Sequence, residues 1–290
     1  MSQAALPLFQ SHPRSFESNR YVYPVLSRRS RGISIGVNLN IDKGCNFHCV
    51  YCQVNRGEPS EKQFVDLPRL RDELDRMIEL VVSGRIFAET PFRRTPEPLR
   101  RLNDIALSGD GEPTTYTNFA DVVSLCAEVR QQHKLDQLKL VLITNASMFH
   151  REPVARALEV LDANNGEIWA KLDAGTEAYY REVARSAVSF QRILENLLLA
   201  ARARPIVIQS LFMRLREQPP AAAEQEAYCG RLSAITAAGG RIKLVQIHTI
   251  ARAPAESWVA ALSNEEVDAL AERVRLRTGL PVAAFYGCGG

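Results

Sequence analysis

No apolar run in the 290-residue sequence reaches the roughly eighteen residues a membrane span requires, which excludes a helical span. The first twenty residues lack a continuous apolar stretch ahead of a small-residue cleavage site, so export is not expected and the cytoplasm is the expected compartment. There is no second CxxC pair to complete a paired zinc site, no cysteine ahead of Cys45, no internal repeat, no low-complexity linker and no RNA-binding motif. A content of 46% hydrophobic and 24% charged residues describes a soluble chain long enough for one large α/β domain.

What is present is a triplet of cysteines, Cys45, Cys49 and Cys52, in the string CNFHCVYC. Three thiolates so close together can hold an iron–sulfur cluster but cannot saturate it, because a four-iron cluster takes four cysteines. One iron would keep an open coordination site, and an open site is where metal chemistry happens. Zinc would ask for four ligands, in pairs that this chain does not have. Cys49-Val50-Tyr51-Cys52 in isolation imitates a thioredoxin-type redox pair, but Cys45 and the length of the chain argue against it. Thiolate ligands need reducing conditions, in agreement with the cytoplasm.

The string CNFHCVYC, with Tyr51 before its last cysteine, resembles the cluster loop of the radical S-adenosylmethionine (radical SAM) superfamily. Its flanks, GISIGVNLNIDKGCNFHCVYCQVNRGEP and the later SGDGEPTT, are similar to the branch that includes the wyosine-type tRNA-modifying enzymes. The resemblance implies a 4Fe-4S cluster on Cys45, Cys49 and Cys52, with S-adenosylmethionine (SAM) chelating the open iron through its amino and carboxylate groups. It further implies a low-potential electron donor such as flavodoxin or ferredoxin, homolysis of the sulfonium bond, and a 5′-deoxyadenosyl radical that abstracts hydrogen from a substrate. The wyosine-type enzymes carry extra cysteines ahead of the main motif, and their absence here argues against that ring-forming reaction, though not against another RNA modification. A protein or peptide substrate, as for an activase or maturase, and a non-enzymatic electron carrier are the alternatives.

Apolar runs alternate with helical periodicity along the chain, the pattern of repeated β/α units and a parallel sheet. Strands are expected at 33–41, 104–107, 138–143, 167–172, 206–212 and 242–247. Helices are expected at 66–82, 118–132, 153–161, 177–185, 190–203 and 222–238. Six units suggest a curved sheet, and the resemblance implies an α/β fold of the partial, open (β/α)6 TIM-like barrel type. Ser263 and Glu266 have the spacing of a capping box for a further helix, and PVAAFYG reads as a last strand. The expected organisation is an N-terminal basic arm over 1–30, a core over 31–250 and a C-terminal helix–strand extension over 251–290 packing on the barrel.

In such a fold the active site gathers at the C-terminal ends of the strands, and every conspicuous motif falls at one. The cysteines follow the first strand and GDGEP the second; Asn145 ends the third, Lys171 and Asp173 the fourth, Gln209 lies in the fifth and His248 ends the sixth. Glycines flanking Asp110 let backbone approach a ligand or make a tight turn. By resemblance, Gly111, Glu112 and Pro113 match the end of a Gly-Gly-Glu type motif that binds the SAM amino group, although Asp110 stands where the first glycine belongs. Asp173 can accept hydrogen bonds from ribose hydroxyls or form an Asp turn before Thr176, Lys171 can complement the methionine carboxylate, and Tyr51 is placed by the resemblance near the adenine.

Asn145 and Gln209 sit in otherwise apolar strands, so each must find a neighbouring strand end, a loop or a ligand. His248 reads more readily as a satisfied core or loop residue than as a catalytic base. Cys126 shares helical spacing with Phe119, Val122, Val123 and Val129 and reads as a core residue, as does Cys229, whereas Cys288 in FYGCGG has no packing pattern and is a candidate for a redox, substrate or second-cluster role. Residues 1–56 hold Arg14, Arg20, Arg28, Arg29, Arg31, Lys43 and Arg56 against Glu17 and Asp42, while the whole chain carries +3. That surplus suits a phosphate-rich partner or a solvated arm.

Overall fold

The computed structural model describes residue 14, residues 16–54 and residues 64–287, and Cys288 lies outside them. The described residues form two compact units. The first holds those up to Cys45, those from residue 64 to Ile143, and Arg151–Glu167. The second holds those from Asn46 to residue 54, Thr144–His150, and those from Ile168 onward.

The first unit is built on strands β1 (Val22–Ser27), β2 (Gly32–Val37), β3 (Leu102–Leu107) and β4 (Lys139–Thr144), with helices α1 (Leu67–Val82), α2 (Phe119–Gln132) and α3 (Glu152–Ala163). β2 is buried along its whole length, and β2, β3 and β4 pair in parallel, with Ser34 opposite Asp104 and Asp104 opposite Lys139. A parallel strand covered on both faces reads as a continuous apolar run, which is why β4 is visible in the sequence. β1 is an antiparallel edge strand, with Val22 opposite Val37, that the periodicity does not announce. Pro24 interrupts its run, and an edge is where a strand tolerates proline. Glu73 of α1, itself buried, ties β1 down by accepting from the backbone N–H groups of Arg20 (2.9 Å), Tyr21 (2.8 Å) and Val22 (3.2 Å). The ring of Tyr23 lies over Gly36, where a Cβ would clash with it, and its hydroxyl donates to the carbonyl of Ser108 at 3.1 Å.

The second unit contains β5 (Gly166–Lys171), β6 (Ile206–Leu211), the short β7 (Met213–Leu215), β8 (Ile242–His248), the short β9 (Val259–Ala261) and β10 (Val282–Phe285). β5, β6, β8 and β10 pair in parallel, with Trp169 opposite Val207, Gln209 opposite Gln246 and Val282 opposite Val245. The expected final strand is therefore β10, and it takes the edge next to β8. Helices α4 (Glu177–Ala184), α5 (Phe190–Ala203), α6 (Ala222–Ala237) and α7 (Asn264–Thr278) complete the unit. The capping box of α7 is formed: Ser263 Oγ accepts from Glu266 N at 3.2 Å and Glu266 accepts from Ser263 N at 2.8 Å. β7 and β9 make an antiparallel ribbon, three residues a side, too short to carry a readable alternation.

The sequence places the first strand at 33–41, and the structure ends it at Val37. Asn38 turns the chain, donating its N–H to the Tyr21 carbonyl at 2.8 Å while its Oδ1 accepts from the N–H groups of Asn40 and Asp110, both at 3.1 Å. No helix among the described residues is long and apolar enough to cross a membrane.

Candidate functional site

In the first unit, the segment after β2 and the GDGEP loop after β3 are fitted closely through two glycines. A Cβ at Gly111 would land on the carbonyl oxygen of Gly44, and one at Gly109 on Asn38, so both positions require glycine for close approach. Glu112 N donates to the same Gly44 carbonyl at 3.3 Å. The buried Glu112 carboxylate caps the single 3-10 turn Pro113–Thr115, accepting from Thr114 N at 3.1 Å and Thr114 Oγ1 at 2.6 Å. Pro113 is the first residue of that turn and is buried. Asp110 is held by Asn38 Nδ2 at 2.6 Å and by an ion pair with Arg14. Lys43 just before Gly44 takes a left-handed conformation, φ 57°, and Cys45 follows, half-buried, at the end of this unit.

In the second unit, the rest of the cysteine loop docks on α4. A helix leaves its last carbonyls without intrahelical partners. Here Ala184 accepts from His48 N and Val183 from Val50 N, both at 3.0 Å, and the helix ends at Arg185 in a left-handed conformation. Phe47 packs edge-on against Tyr180 (centroids 6.0 Å apart), which stacks on Phe190 of α5 (5.0 Å). Asn46 is held by three bonds: its Nδ2 donates to Ser147 Oγ (2.8 Å), its Oδ1 accepts from Asn145 Nδ2 (2.9 Å), and its carbonyl accepts from Ser186 Oγ (2.8 Å). Asn196 of α5 supports the loop after β4 from beneath, donating to the carbonyls of Ala146 (2.8 Å) and Ser147 (2.9 Å). Cys49 and Cys52 are half-buried thiols, and Cys52 N donates to the Cys49 carbonyl at 2.9 Å.

Tyr51, Lys171 and Asp173 come together. The phenol donates to Asp173 Oδ2, Lys171 Nζ lies 3.5 Å from the same oxygen and 4.5 Å from the Tyr51 ring centroid, and Asp173 Oδ1 accepts from Leu211 N at 2.8 Å. Burial, and then the Asp173 carboxylate, hold the Tyr51 phenol well above its ordinary pKa, so it stays protonated as the donor. A cavity opens beside this group, with Asn145, Lys171 and Asp173 as its polar wall and Phe47, Tyr180, Val183, Phe190 and Ile193 among its apolar lining.

Two expected site residues have partners within the protein. The Oδ1 of Asn145 accepts from Ser147 N at 3.0 Å, although the residue also lines the cavity. The Nε2 of Gln209 donates to Gln246 Oε1 at 3.1 Å across the β6–β8 pair. His248 is buried at the end of β8, its carbonyl accepting from Phe212 N at 2.9 Å. Cys126 and Cys229 are buried in α2 and α6, as their helical spacing predicts, and burial pushes the Cys126 thiol up to about 12. Asn46, Phe47, Ser147, Ser186 and Asn196 were not singled out by the sequence, because each is polar or aromatic in an ordinary context and meets its partner only through the fold.

Among the described residues no three His, Cys, Asp or Glu side chains converge as they would around a single metal ion. A four-iron cluster is bonded at its corners, so its cysteines stand apart.

A "UPF0026 protein" of Helicobacter pylori (strain J99) is 24% identical over 185 residues, covering 61% of this chain and 53% of that protein. The chain thus spans about half the length of the curated relatives it matches. Among solved structures, TYW1 with a lysine-pyruvate adduct bound superposes with a TM-score of 0.54 at 14% identity, over 85% of this chain and 74% of that one. Streptococcus suis SuiB bound to S-adenosylmethionine superposes with a TM-score of 0.55 at 12% identity, over 89% of this chain and 49% of that one. At these identities the likeness is one of fold, and it is the partial, open TIM-like barrel. The family model for the radical SAM superfamily matches residues 39–217, more than half of the 290 residues, and the chain belongs to that superfamily.

Proposed function

We propose that the chain is a radical SAM enzyme holding a 4Fe-4S cluster on Cys45, Cys49 and Cys52, with SAM at the iron they leave open. The observation that carries this reading is the donor set: three soft thiols in one anchored loop, with the other described cysteines, Cys126 and Cys229, buried in helices. When bound, cluster and SAM supply a one-electron cleavage, fed by a flavodoxin- or ferredoxin-type donor, that yields a 5′-deoxyadenosyl radical for hydrogen abstraction.

The residues present fit SAM as well as the cluster. Lys171, on the cavity wall, offers a cation for the methionine carboxylate. In the first unit Gly111, Glu112 and Pro113 are assigned to the amino group on the resemblance of their motif, although the carbonyls of Glu112 and Pro113 already accept from Thr115 N and Tyr116 N. The Glu112 side chain serves as a cap, so its part is to shape that segment. The apolar wall of Phe47 and Tyr180 suits a purine, with Tyr51 held nearby through Asp173 and Lys171. Asn145 lines the same cavity, and Gln209 is carried as a SAM contact by its strand position while its Nε2 bonds Gln246.

For the substrate class we favour RNA, supported by the fold likeness to TYW1 and by the basic surplus before residue 57. Part of that surplus is committed within the protein, since Arg14 pairs with Asp110 and Arg20 lies 5.9 Å from the Tyr21 ring centroid. Retention on immobilised tRNA that falls steeply with salt supports RNA, and failure to bind at any salt concentration removes it.

The activity is tested anaerobically: the protein is reconstituted with iron and sulfide, reduced and given SAM, and 5′-deoxyadenosine is sought by mass spectrometry. The expected result is its formation, abolished by Cys49→Ala. An intact cluster whose paramagnetic resonance signal does not respond to SAM would overturn the proposal in favour of an electron carrier.

A further inference from the structure

Asp173, just beyond β5, gathers groups from three directions. Its Oδ1 takes the backbone N–H of Leu211 at the end of β6 (2.8 Å), and its Oδ2 takes the Tyr51 phenol, with Lys171 Nζ at 3.5 Å. A carboxylate offers about four lone-pair sites, so three donors leave about one for a ligand hydroxyl. Tyr51 lies between Cys49 and Cys52, so a bond that fixes its phenol also fixes the turn between the two thiols. Lys171 adds a second hold by standing over the ring at 4.5 Å.

We infer that Asp173 is a positioning residue: through Tyr51, and with Lys171, it sets the cysteine loop in place before any cofactor arrives. This is a different task from the ribose contact that the resemblance implies. Its consequence for the cluster rests on the proposed function above, but the anchoring itself belongs to the protein alone and is measured without cofactor.

The test is hydrogen exchange in the full-length, cofactor-free protein at the amides of His48, Val50 and Cys52, each of which is hydrogen-bonded. Asp173→Ala should speed their exchange about tenfold, the loss of one charge-assisted bond. Tyr51→Phe should do the same, and the double variant should be no faster than either single one. Asp173→Asn, which keeps an acceptor for Leu211 and a partner for the phenol, should recover most of the protection. Amides of α7 serve as the folding control. If Asp173→Ala loosens those too, Tyr51→Phe, which removes one hydroxyl, decides the question.

Wild-type exchange in the loop of the deciding variant overturns the inference, as do additive effects of Asp173→Ala and Tyr51→Phe. If that unchanged exchange accompanies weakened SAM binding by the cluster-loaded Asp173→Ala protein, Asp173 is a ligand contact instead. An anchored loop in a protein that makes no 5′-deoxyadenosine would sink the proposed activity and leave this inference standing.

Discussion

The two loops that carry the candidate chemistry are built on opposite plans. In the first unit the GDGEP loop is shaped by tight glycine contacts and a cap: Gly111 lies against the Gly44 backbone, Gly109 against the Asn38 side chain that also holds Asp110, and Glu112 caps the turn that follows it. In the second unit the segment bearing Cys49 and Cys52 is shaped from outside, by α4 carbonyls, by Asn145 and Ser147, by Tyr180 and by Asp173. The partners that hold this segment come from other parts of the chain. The segment therefore borrows rigidity from elements about a hundred residues away, and this is the organisation expected of a preorganised site.

This contrast breaks most visibly at the thiols themselves. Cys49→Ala should remove most of the iron bound after reconstitution, whereas Cys126→Ala should retain it, as an iron assay will show; equal loss from Cys126→Ala would mean that the ligand set is wrongly drawn. Next is Gly111→Ala, whose new Cβ meets backbone that cannot swing aside. Urea unfolding should show a loss at or above the top of the usual overpacking range of about 1–3 kcal/mol. A smaller loss, about 1–3 kcal/mol, is expected for Asn196→Ala, which strands two buried carbonyls under the loop after β4. Smallest is the cap: Glu112→Ala should cost about 1 kcal/mol, and Glu112→Gln, which still accepts from Thr114, less than that. A Glu112→Ala cost above that of Gly111→Ala would show that the first loop depends on its cap more than on its glycine contacts.

The two plans also explain how far the sequence could be read. The parallel strands and the helices announce themselves through periodicity, and the capping box of α7 through Ser263 and Glu266, because those signals are local. β1 stays hidden because Pro24 breaks its run, and the β7–β9 ribbon because three residues carry no pattern. In the site, cysteines, glycines and strand-end carboxylates are legible by residue type. The supports are not: Asn46, Ser147, Ser186 and Asn196 are ordinary polar residues whose roles exist only as contacts between distant segments. Gln209 is conspicuous as a buried amide in an apolar strand, and its Nε2 finds a partner in Gln246 on the neighbouring strand, a pairing that no local pattern announces.

The edge strand β1 has a consequence for how the molecule behaves in a crowd. An exposed sheet edge is a template on which another chain can add a strand, and uncovered edges lead to self-association. Backbone donors alternate in direction along a strand, so Val22, Pro24 and Leu26 are the positions whose backbone nitrogens face away from β2. Glu73 occupies the donor of Val22, and Pro24 has none to give. All three of these positions are buried among the described residues, so the edge is closed by packing as well, and the proline that hides β1 from a reader of the sequence also leaves it one donor short.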